Sequence, residues 1–147
     1  MIAVKIGKDI FEYINDIKNS RARQVMKRRV QEYLPKLTEK FEAIQDKYFF
    51  IVFSSEWSPD CQAHIPSLAK LLVVTKNNNL VAKVVDYDGN RDIAEELGIL
   101  RIPTVILYDK KWRELGRFVE KPQRYSTMEE ELWSFIEGSE KKTTSNN

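Results

Sequence analysis

One sulfur carries whatever thiol chemistry this chain can do: Cys61 is its sole cysteine, and His64, three residues on, its sole histidine. The thiolate is the nucleophilic form of cysteine, and the N–H groups and dipole at a helix N-terminus favour it. Cys61 follows the small-residue and proline stretch Ser54 to Asp60 and opens a run with helical apolar spacing at Ile65, Leu68 and Leu72. That position suits a lone reactive thiol in a first helical turn. It equally suits an inert buried hydrophobe, the commonest fate of a free cysteine. Ser58 stands at the expected N-cap, where its oxygen would accept a helix N–H; the functional reading is a hydroxyl bonded to the Cys61 sulfur. Asp60, adjacent to the thiol, opposes its ionisation by like charge. Trp57 lies in a turn rather than a periodic stripe, so packing and partner contact are equal expectations. His64 reads as a base or, more simply, as solvated helix surface.

A single cysteine forms no intramolecular disulfide, and one Cys with one His does not make the usual zinc ligand set. Gly98 and Gly116 are isolated, with no Gly-rich phosphate loop. Neither a metal nor a cofactor is expected. Lys and Arg number 24 against 22 Asp and Glu, a formal charge of +2 that gives no global reason for nucleic acid or an anionic membrane as partner. Arg21, Arg23, Lys27, Arg28 and Arg29 form a basic run without interleaved aromatics, which reads as a solvated helix face. Charges interrupt the apolar residues of the N-terminus, and no apolar stretch approaches the roughly 20 residues of a membrane span. The expectation is a soluble cytoplasmic protein, and 147 residues at 42% hydrophobic content suffice for one domain with a little left over.

The elements that must position Cys61 follow from rhythm. Residues 1–47 carry 11 basic and 7 acidic residues, unlike the remainder at 13 and 15, and read as a helical extension. Ile10, Phe11, Ile14 and Ile17 form one amphipathic stripe, and Val25, Val30, Tyr33, Leu37, Phe41 and Ile44 another, with a break near Asn19-Ser20. Pro35 kinks the second helix or starts a new one. Such faces must dock on the domain or on a second copy of it. From Tyr48 to Phe53 the chain is aromatic and β-branched throughout, as in a strand buried on both faces. A tight turn, a helix from Cys61, a strand over residues 80–86 and a helix from Asn90 ending at Gly98 complete a β-α-β-α unit. Residues 104–108 and 114–120 read as an antiparallel hairpin. Ser126 and Glu129 suggest a capping box for a last helix stopping at Gly138, with residues 139–147 a disordered tail.

This order resembles the thioredoxin fold over about residues 48–138. Phe53-Ser-Ser-Glu-Trp57-Ser58-Pro59-Asp60-Cys61 is similar to that family's strand-to-helix turn with its Trp-Cys-x-x-Cys motif; Pro66 matches its helix-kinking proline, Lys83 a strand lysine, and Ile102-Pro103-Thr104 its cis-proline segment. The resemblance implies an α/β three-layer fold with a central mixed sheet flanked by helices, plus the N-terminal extension. It implies Cys61 and Ser58 as the reactive positions, Trp57, Pro59, Asp60, Ile102 and Pro103 as the substrate groove, and a protein or peptide thiol or disulfide as partner. Two departures weigh on activity: Ser58 stands where the attacking cysteine belongs, and Val52 where thioredoxins bury an aspartate. Without the first thiol, dithiol reduction is expected to be absent. The readings that remain are a single-thiol member of the thiol–disulfide oxidoreductase superfamily, serving cell redox homeostasis, and a redox-inactive module that holds an extended peptide. A third is a monothiol peroxidase, since Ser58 and Cys61 also resemble the Thr-x-x-Cys of peroxiredoxins, although Ser54 replaces their upstream proline.

Overall fold

A strand with no polar face has to be covered on both sides, and the run from Tyr48 is placed accordingly, in the middle of a sheet. The computed structural model describes residues 1–145, with side chains through residue 141. In chain order the elements are α1 (Ile2–Ile6), β1 (Lys8–Asp9), α2 (Ile10–Asn15), α3 (Ser20–Glu32), α4 (Thr38–Glu42), β2 (Tyr48–Ser54), α5 (Pro59–Thr75), β3 (Leu80–Asp86), α6 (Arg91–Glu96), β4 (Thr104–Asp109), β5 (Glu114–Val119) and α7 (Met128–Ser145). The sheet order is β1-β3-β2-β4-β5. β2 runs parallel to β3 and antiparallel to β4, and β1 and β5 close the edges antiparallel to their neighbours. This is the three-layer α/β architecture with a mixed central sheet.

Alternation along β2 splits the core into two. Tyr48, Phe50 and Val52 face a cluster built with α2, α3, α4, α5 and α7, whereas Ile51 and Phe53 face a smaller one containing Ala3, Ala94 and Ile99. Ser54 continues the even-numbered side, which turns its hydroxyl toward α5. The first 46 residues contribute Ile10, Tyr13, Ile14, Ile17, Met26, Phe41 and Ile44 to the larger cluster. Their hold is also polar: Lys70 Nζ donates to the carbonyls of Val30 and Gln31, and the Asn77 amide to those of Phe41 and Ile44.

Several elements differ from the sequence expectation. α1 and the two-residue β1 carry too few residues for a period to emerge. Pro35 does not kink one helix but lies in the loop between α3 and α4, where buried Glu129 accepts hydrogen bonds from Tyr33 OH and from the backbone N–H groups of Lys36 and Leu37. Because Glu129 is committed there, the cap of α7 shifts by one: Thr127 Oγ1 accepts from Glu130 N at 3.1 Å and bonds the Glu130 carboxylate at 3.0 Å. α7 then runs through Gly138, which is exposed and costs about 1 kcal/mol relative to alanine, too little to end a packed helix. The tail expected from residue 139 is therefore helical to Ser145, and residues 146–147 lie outside the described residues. Among the described residues, no helix is long and apolar enough to cross a membrane.

Candidate functional site

The carboxyl end of β2 delivers the chain to a turn, and the turn is locked by its own backbone. Ser58 N–H donates to Ser55 O at 3.2 Å, and Ser58 caps α5 by accepting from Cys61 N–H at 3.2 Å. Pro59 occupies the first helical turn, where its missing N–H costs nothing, and is exposed; Asp60 is half-buried. Cys61 is 0% exposed. Burial is the largest influence on its thiol and pushes the pKa up; hydrogen bonds from Ser54, Ser58 and the Ser55 backbone oppose it, and Asp60 reinforces it. The net direction is upward, so the sulfur is a neutral thiol at physiological pH. The inert and the reactive readings of Cys61 thus meet in one geometry: a buried thiol among hydrogen-bond partners.

Those partners form a chain that reaches into the extension. Ser54 and Ser55 are fully buried, and Ser54 Oγ lies 3.0 Å from Tyr13 OH on α2. Burial raises the Tyr13 pKa well above the ordinary phenol value and keeps it a neutral hydroxyl. Ser55 Oγ donates to Asp88 Oδ2 at 2.8 Å, and the indole Nε1 of Trp57 donates to the same oxygen at 2.8 Å. Glu56 ties the turn to the extension from the other side by accepting from the N–H groups of Lys18 and Asn19, both at 3.2 Å. Trp57 itself stands 63% exposed, its ring held by Asp88.

Ile102 and Pro103 border the same end of β2. Thr104 pairs with Phe53 in the register, which sets Pro103 alongside the start of the turn. The Ile102–Pro103 peptide bond is cis, Pro103 is buried, and Ile102 packs against both apolar clusters. Pro103 O accepts from Glu120 N at 2.7 Å, with Glu120 in the left-handed region at φ 67°. His64 is not solvated surface: it is half-buried with its ring edge-on to Phe118 at 5.2 Å, and burial, with Arg29, lowers its pKa against the opposing Asp60. It is a neutral packing residue. Of the basic run on α3, Arg21, Lys27, Arg28 and Arg29 are exposed, while Arg23 donates to Ile17 O at 2.6 Å. Among the described residues, no group of three or more His, Cys, Asp or Glu side chains is placed to hold a metal ion.

Sequence reasoning missed Tyr13, Ser54, Ser55 and Asp88. Strand parity could have found Ser54, since it falls on the face that α5 covers. Nothing local could have found Tyr13, whose partner is 41 positions away.

Asp88 gives the site a pH dependence. The Trp57 indole, then the Ser55 hydroxyl, hold its carboxyl below the usual aspartate range. A carboxylate whose pKa falls on folding stabilises the fold above its unfolded value, and that contribution is lost as pH drops through the folded value. Trp57 emission, read as the difference between the parent and Trp57→Phe, is therefore expected to stay constant from neutrality down to about pH 4 and to change only below it. A transition centred above pH 5 would show that some other group holds the ring.

Comparison with known proteins agrees with this fold. A family model described as thioredoxin matches residues 7–133. A protein of unknown function from Pseudomonas aeruginosa is similar over 93% of this chain and 96% of its own, with 23% identity and a TM-score of 0.80. An HIV epitope scaffold is 26% identical over 83% of this chain and 77% of its own, with a TM-score of 0.71. Thioredoxin-2 of the malaria parasite shares the fold at 19% identity, covering 65% of this chain and 85% of its own at a TM-score of 0.50. No curated protein matches in sequence.

Proposed function

The chain belongs to the thioredoxin family, and on that premise we propose that it is a binding member of the family without dithiol reductase activity. It holds an extended segment of a partner protein beside Trp57, Pro59, Asp60 and the Ile102–Pro103 turn. The observation that carries this reading is the state of the two reactive positions: Ser58 is engaged as the cap of α5, and the only thiol is buried and neutral. Disulfide reduction needs a thiolate to attack and a second thiol to release the mixed disulfide. A serine hydroxyl, which does not ionise near neutrality, supplies neither. Cys61 is then part of the wall behind the groove. Trp57 supports the binding role, because a large exposed aromatic held in one orientation is the kind of residue that anchors an interface. An extended segment would bind by main-chain hydrogen bonds along the cis-proline turn.

Two measurements test this. Native protein treated with an aromatic disulfide reagent is expected to show no fast-reacting thiol, and one thiol after denaturation. Fast native labelling would favour the single-thiol redox reading. Binding of an extended Val/Thr-rich peptide to the native chain should weaken at least about 10-fold in Trp57→Ala, as for an interface anchor. An unchanged affinity would move the groove away from this turn.

A further inference from the structure

The ring of Trp57 also walls an open cavity of about 450 Å³ between the first 18 residues and the carboxyl end of β3. Ile6, Ile17 and Val84 supply its apolar lining. Four carboxylates border it, Asp16, Glu56, Asp86 and Asp88, against the two ammonium groups of Lys8 and Lys18. Lys8 pairs with Asp16 at 3.3 Å where both are more than half exposed, an arrangement worth little in water. Arg91 meets Asp88 at 3.4 Å but lies over the Tyr87 ring and is not part of the lining. The cavity thus carries two negative charges in excess, with an apolar lining and an aromatic wall.

The wall is an observation independent of the charges. Trp57 is fixed through Asp88, which is itself bonded to buried Ser55, and this holds an indole largely in solvent. A fixed, exposed indole face is the best aromatic partner for a cation.

Resting on the peptide-binding reading above, we infer that this cavity receives a lysine or arginine side chain of the extended partner segment. The stem lies on Ile6, Ile17 and Val84, and the cation sits among the carboxylates beside Trp57. Such side chains combine an apolar stem with a charged tip, which is the combination the cavity offers. The charge excess selects a cation over an anion, and Trp57 is common to the cavity and the groove.

The test uses the full chain and three Val/Thr-rich peptides that differ at one central position, Arg, Glu or Leu, with affinities measured by calorimetry. The arginine peptide is expected to bind at least about 10-fold more tightly than the glutamate peptide, and the difference should shrink as salt screens the cavity charges. In Asp86→Asn the amide oxygen still accepts from Gly89 N–H as the carboxylate does now, so the turn is kept. This variant should weaken the arginine peptide about fivefold, the upper scale of one solvent-exposed charge pair, and leave the leucine peptide unchanged. Equal binding of all three peptides, with Trp57→Ala still weakening them, would overturn the cavity assignment and keep the groove. Failure of every peptide to bind would overturn both. Spermidine binding as tightly as the arginine peptide would show that the cavity takes a free cation and would overturn the side-chain assignment.

Discussion

Ser58→Cys is expected to show measurable disulfide reductase activity, and the parent none. The new thiol would sit at the N-cap of α5, where free N–H groups and the helix dipole lower a thiol pKa. Cys61 is already placed one turn on, its N–H bonded to the residue 58 side chain at 3.2 Å. Attack by the new thiolate forms a mixed disulfide with the substrate, and Cys61 then displaces the substrate thiol, leaving a disulfide between position 58 and Cys61. Turnover should stay about 100-fold or more below that of a thioredoxin with a buried carboxylate base, because Val52 is apolar and the neighbouring Tyr13 and Ser54 hydroxyls are too weakly acidic to replace it. The parent should show no catalysis in an insulin-type reduction assay with dithiothreitol as donor. Catalytic reduction by the parent, or failure of the variant to form the internal disulfide, would remove the turn from the position assigned to it.

Phe41→Ala is expected to cost about 3–5 kcal/mol of stability, the range for removing a fully buried phenylalanine. Phe41 is 0% exposed, meets Trp133 of α7 edge-on at 5.6 Å, and has its carbonyl held by Asn77. It belongs to the extension by sequence and to the main apolar cluster by packing. Denaturant unfolding, followed by both far- and near-ultraviolet circular dichroism, should therefore remain a single transition at a lower midpoint. A separate early transition that melts helix and leaves the aromatic signal of the sheet intact would show that α3 and α4 do not share the core.

Much of this fold is legible in the chain because its strands are nearly pure signals. β3 spans the residues 80–86 expected of it, and β2, β4 and β5 lie within one residue of expectation. Such runs admit one solution, burial in a sheet, regardless of what covers them. The Ser58 cap and the break at Asn19 were readable for a similar reason: each hydrogen-bonds an N–H three residues away, Cys61 in one case and Ala22 in the other. The cap of α7 was misplaced because Ser126 with Glu129 and Thr127 with Glu130 are equivalent locally. The choice between them is made by Tyr33 and the Pro35 loop, more than 90 positions away.

The same division runs through the site. Residue types and spacing by themselves determined that any thiol chemistry here has one sulfur, that position 58 carries a hydroxyl, where the resemblance to thioredoxins implies an attacking thiol, and that a strand, a tight turn and a helix bring the two together. These are properties of composition and of hydrogen bonds a few residues long. Whether Cys61 is reactive, what surrounds it and which face Trp57 presents were decided only by tertiary structure. Desolvation depends on everything packed around an atom, and Tyr13, Ser54 and Asp88 come to the turn from three different elements. A pKa, a burial and a cavity are sums over neighbours in space, and the covering of this turn by the first 18 residues is written in no local pattern.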